Sequence, residues 1–165
     1  EELRRALSGR TGGPSAVAEA ATRRPAVPRG AVLLPAERWL LALVAQGAAG
    51  VEIALDELTE SDLEGLRSAA LLRVAQAVAR RDERVTLPAV VAELDEDGAR
   101  LMSEIAVEGV PMEGLSAEDC VRELRRQPLK ARMAEIQKRL AGASGDAQEA
   151  LLVEKTRLVR QMAGL

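Results

Sequence analysis

"EDCVRELRRQPLKARMAEIQKRL", residues 118–140, carries charged and apolar side chains at helical spacing from end to end and sets Pro128 in the middle. The pattern predicts one long helix. A proline inside it removes a backbone hydrogen bond and crowds the carbonyl four residues back, at about 3 kcal/mol. A penalty of that size, in a stretch otherwise built for helix, needs a reason. The rest of the chain supplies one.

The apolar content of the 165 residues is 47%, almost all of it Ala, Leu and Val, with one Trp and no Phe or Tyr. Ala and Leu are the best helix formers, whereas sheets favour aromatic and β-branched residues. No segment alternates with a period of two. The expected fold class is all-α: a multi-helix bundle, then a long kinked helix, then a C-terminal antiparallel helical hairpin. There is no His and a single Cys, which excludes a zinc cage, a disulfide framework and any His-based triad. Without a membrane-spanning run or a signal peptide, the expected location is the cytoplasm. The opening Glu1-Glu2 in place of Met points to a piece of something longer.

Charge divides the chain into three. Residues 1–34 hold six Arg and three acids, net +3. Residues 35–115 hold seven Arg and sixteen acids, net −9. Residues 116–165 hold ten Lys or Arg and seven acids, net +3. An acidic body is a poor nucleic-acid binder, since non-specific affinity comes from neutralising phosphates. No direct DNA binding is therefore expected from it.

Residues 1–35 are rich in Gly, Pro, Ala and Arg and read as a flexible linker from an upstream domain. A bundle is expected over 36–127. Trp39, Leu40, Leu43 and Val44 form a helical stripe after Pro35, which suits a helix start. A short helix follows over Val51 to Leu58. A long one is predicted from Ser61 to Arg80, with Leu63, Leu66, Ala70, Val74 and Val78 on one face and Ser61 and Glu64 as a capping box. Thr86-Leu87-Pro88 opens a helix carrying Val90, Val91 and Leu94. The next one carries Leu101, Met102 and Ile105. Ser116 with Asp119 then caps the helix quoted above. Trp39, Leu43, Leu66, Val74, Leu101 and Ile105 are the expected core.

Candidate chemistry is thin. Glu93, Asp95, Glu96 and Asp97 could gather a divalent ion, but they straddle a helix junction as caps do, so no metal and no cofactor are expected. Cys120 reads as a small buried hydrophobe rather than a nucleophile. Residues 85–105 imitate a helix-turn-helix, yet the second helix offers Arg100 against several acids, the wrong sign for DNA.

Residues 128–165 are the informative part. Leu129, Met133, Ile136 and Leu140 follow the 4-3-4 spacing of a coiled-coil seam. Gly142 and Gly145 read as a helix stop and Asp146 as the N-cap of the next helix. The last helix carries Leu151, Leu158, Met162 and Leu165 on one stripe, and Leu152 and Val159 on a second. One stripe must close the hairpin and the other is left for a partner. The sequence does not say which, so the candidate partner-binding residues are Leu151, Leu152, Glu154, Lys155, Leu158, Val159 and Met162, with Leu158 and Met162 expected to matter most.

Residues 116–163 resemble the C-terminal end of bacterial DnaG-type primase. The resemblance rests on Asp119, Cys120, Arg122, Leu124 and Arg125, then Leu129, Glu135 and Ile136, then Glu154, Lys155, Leu158 and Met162. Over 36–110 mainly the order of helices agrees. The resemblance implies a non-catalytic domain that docks primase on the replicative (DnaB-type) helicase hexamer and couples primer synthesis to the fork. In some relatives the domain also binds the tail of single-stranded DNA-binding protein. The polymerase and zinc-binding parts would lie upstream.

On this reading Pro128 is a hinge, where a helix leaves the bundle core at Leu124 and enters the hairpin seam at Leu129. A break or kink there would aim a docking arm away from the bundle. The rival reading is a structural or regulatory all-α protein that self-associates through its C-terminal coiled-coil hairpin.

Overall fold

The helix that opens the fold owes its limits to Pro35 and Gly47. In the computed structural model, which describes residues 32–81, 84–109 and 114–165, α1 (Pro35–Gln46) starts on that proline. It ends where Gly47 turns left-handed at φ 61° and Ala48 N–H donates to the Leu43 carbonyl. The linker expected over 1–35 lies, up to residue 31, outside the described residues.

Among the described residues the chain is all-α, with eight helices and no strand. After α1 come α2 (Val51–Glu57), α3 (Glu60–Leu63), α4 (Ala69–Arg81), α5 (Leu87–Glu93), α6 (Glu96–Glu108), α7 (Ala117–Leu140) and α8 (Asp146–Ala163). No helix is long and apolar enough to cross a membrane.

The bundle is built around α1, which buries Leu40, Leu41, Leu43 and Val44 against α6, α7, α4 and α5. Leu55, Leu63, Leu71, Leu72, Val78, Val90, Leu94, Met102 and Ile105 complete one continuous core. Of the expected core residues, Leu43, Val74 and Ile105 are buried, while Trp39, Leu66 and Leu101 are only half-buried at its edge.

The helix expected from Ser61 to Arg80 is in fact two. It breaks after Leu63, and Gly65 takes φ +82°, a conformation that favours glycine. The capping box belongs to Thr59 and Asp62 rather than to Ser61 and Glu64: Asp62 N–H donates to Thr59 Oγ1, and Thr59 N–H donates to Asp62 Oδ2. A tertiary bond explains the break. Glu37, buried in α1, accepts from Ser68 N–H at 2.9 Å, from Ser68 Oγ at 2.8 Å and from Leu34 N–H at 2.7 Å. Ser68 N–H is thus drawn to a carboxylate 31 residues away instead of into a helix ladder.

The long helix does not break at Pro128. α7 runs from Ala117 to Leu140 with the proline inside it. Ser116 and Asp119 cap its start as expected. Its first half buries Ala117, Cys120, Val121 and Leu124 in the bundle core. Its second half carries Leu129, Met133, Ile136 and Leu140 into a separate cluster with Leu151 and Leu158 of α8. One helix therefore serves two cores, and Pro128 stands between them.

Candidate functional site

α8 doubles back along the second half of α7 across residues 141–145; its N-cap is Gly145, at a positive φ of 59° that favours glycine, and not Asp146, which is the first residue of the helix. Its seam is Leu151 and Leu158, seven residues apart and so on one face of the helix; both are buried. Arg132 of α7 donates to Glu154 Oε1 at 2.9 Å, an ion pair that straps the two helices together beside the seam.

The seven candidate residues thus divide. Leu151, Leu158 and Glu154 hold α8 to α7. Lys155 and Met162 are half-buried at the margin. Leu152 and Val159 face solvent, at 46% and 51% exposure, with Val153 beside them at 71%. The sequence placed most weight on Leu158 and Met162; in the structure Leu158 is spent closing the helix pair. The surface left open is the stripe of Leu152 and Val159.

Val153 was missed from sequence because it lies outside both stripes, on the side of the helix turned away from the seam. On the folded chain it lines a shallow depression with Leu152, Thr156, Arg157 and Arg160. Thr156 Oγ1 donates to the Leu152 carbonyl, which satisfies its hydroxyl within the helix. Among the described residues, neither Arg157 nor Arg160 makes an ion pair. An apolar strip bordered by two unpaired guanidinium groups suits a partner helix whose apolar side chains are flanked by carboxylates.

Three of the four acids at the α5–α6 junction are engaged in other contacts, and Glu96 stands exposed in the first turn of α6. Asp95 caps α6 by accepting from Gly98 N–H at 2.8 Å. Glu93 pairs with Arg81, and Asp97 with Arg100. These acids form no metal-binding group among the described residues. Arg100, the one basic residue on the face imitating a DNA-reading helix, is held by that carboxylate.

Cys120 is buried in the bundle core, and burial pushes its thiol up to about 11, with the Asp119 carboxylate adding to the effect. The thiolate is the reactive form, so the folded protein should be inert to a thiol reagent at neutral pH. Native Cys120 is expected to stay unlabelled by Ellman's reagent and to react fully in denaturant. Fast labelling of the folded chain would contradict the packing of α7.

Comparison with models of protein families, with curated protein sequences and with solved structures returned no match.

Proposed function

We propose that this chain is the non-catalytic helicase-docking part of a bacterial DNA primase, holding a replicative helicase through the outer face of α8. The observation that carries the reading is the division of labour on that helix. Leu151 and Leu158, with Glu154 beside them, close it on α7, and Leu152, Val153 and Val159 stay open beside Arg157 and Arg160. The sequence resemblance over 116–163 agrees, since it falls on this helix pair. The bundle would carry the pair, and α7 would join the two through Pro128.

The test is sedimentation velocity with a purified DnaB-type hexamer. The chain alone should run as a monomer at micromolar concentration and co-sediment with the hexamer when mixed. A chain lacking 146–165 should keep the bundle's helical signal and no longer co-sediment. A dimer in the absence of helicase, with no shift when helicase is added, would instead favour self-association through the same face.

A further inference from the structure

α7 has to leave the bundle somewhere, and the place is chemically marked. Leu124 is its last residue in the bundle core; the next fully buried one, Ile136, is covered by α8. Arg125 lies one residue beyond Leu124. Its guanidinium donates to the Glu57 carbonyl at 2.6 Å and to Asp62 Oδ2 at 3.2 and 3.3 Å. Glu57 is the last residue of α2, where carbonyls lack helical partners and a cation is favoured. Asp62 belongs to the capping box of α3. One side chain therefore ties α7 to the end of α2 and the start of α3.

Two further features make that tie matter. Among the described residues, every hydrogen bond and ion pair of residues 128–165 is made within α7, α8 and their connection: Lys130 to Glu123, Arg132 to Glu154, Thr156 to Leu152 and the backbone bonds. None reaches the bundle. Three residues past Arg125, Pro128 has no N–H to give the Leu124 carbonyl, so the helix is short of one bond where it departs. Beside it runs an open groove of about 540 Å³, between Leu124, Gln127, Pro128 and Ala131 on one wall and Glu64 and Leu66 on the other. The groove leaves room for the helix to move.

We propose that Arg125 is a positioning residue that fixes the direction of the α7–α8 pair relative to the bundle, with Pro128 as the joint it restrains. The Arg125–Asp62 pair is the ion pair best shielded from water in the molecule as described, at 29% and 16% side-chain exposure. Such a pair is screened less than a fully exposed one. Burial alone would raise the Asp62 carboxyl; the Thr59 bonds and the Arg125 charge outweigh it and hold it below its ordinary value. The inference concerns where the pair points and does not depend on what α8 binds.

The experiment is pulsed dipolar spectroscopy on the full chain carrying Cys120→Ala, with spin labels at Ala77→Cys on α4 and Ser144→Cys at the far end of the pair. The parent should give one narrow distance distribution. Arg125→Ala should broaden it to about twice that width, a population of directions replacing one. Arg125→Lys, which cannot make the forked contact, should fall between. Asp62→Asn keeps an acceptor for Thr59 and removes the charge, so it should broaden the distribution as well. Adding Pro128→Ala to Arg125→Ala should narrow it again, because the restored backbone bond stiffens the joint. Unchanged widths in both Arg125→Ala and Asp62→Asn would overturn the proposal. So would broadening that Pro128→Ala leaves untouched.

Discussion

Glu37→Ala should lower the unfolding free energy by about 3 kcal/mol, the largest effect expected from any polar residue of the bundle. The carboxylate is 1% exposed and accepts three hydrogen bonds. Its removal leaves Ser68 N–H and Ser68 Oγ without an acceptor where water does not readily reach, and Leu34 N–H without one at the edge of the core. Each buried group left unsatisfied costs about 1–3 kcal/mol, and relaxation recovers part of the sum. Glu37→Gln keeps one oxygen and should cost less. Ser68→Ala removes only the hydroxyl bond and should cost about 1 kcal/mol. Urea unfolding followed by far-ultraviolet circular dichroism and by Trp39 fluorescence gives these values. A loss below about 1 kcal/mol for Glu37→Ala would mean that the break between α3 and α4 has another cause.

The second large effect belongs to the α7–α8 seam. Only Ile136, Leu151 and Leu158 are fully buried there, with Leu129, Met133, Leu140 and Ala143 packed around them. Leu158→Ala should cost about 2–4 kcal/mol, the transfer term plus the void left behind. A two-helix unit this small has little stability to lose. The expected result is local: α8 amides lose hydrogen-exchange protection while those of α1, α4 and α6 keep theirs. Val159→Ala, one residue along and half-exposed, should change stability by less than about 0.5 kcal/mol. Equal destabilisation by the two substitutions would contradict the assignment of the seam.

The residues that carried the fold class were legible from the start. Ala- and Leu-rich stripes, Pro35, the Ser116–Asp119 cap and the glycines at 142 and 145 act over a turn or two of chain, and local rules find them. The failures share one cause. Ser61 to Arg80 reads as one helix because Glu37, which captures Ser68, is 31 residues away. Ser61 with Glu64 and Thr59 with Asp62 both fit a capping pattern, and only the position of the break chooses between them. The stripe of α8 that closes on α7 depends on how one helix lies on another, which no single-helix projection contains. Arg125 stands in the stretch of sequence that carried the resemblance, yet its partner Asp62 is 63 residues distant. Short-range chemistry was readable; pairings across the fold were not.

That same division decides how the docking face should be tested. Residues that hold α8 in place must be left alone, so that a loss of binding cannot be ascribed to a loss of structure. Leu152 and Val159 meet this condition, since both face solvent and neither belongs to the seam. The decisive measurement is the affinity of Leu152→Glu/Val159→Glu for a DnaB-type hexamer, by fluorescence anisotropy, beside the unaltered chain. The double substitution should weaken binding by about 2–4 kcal/mol, the range of residues at the centre of an interface, with the helical signal and thermal midpoint unchanged. Binding as tight as that of the unaltered chain would contradict a docking role for the outer face of α8.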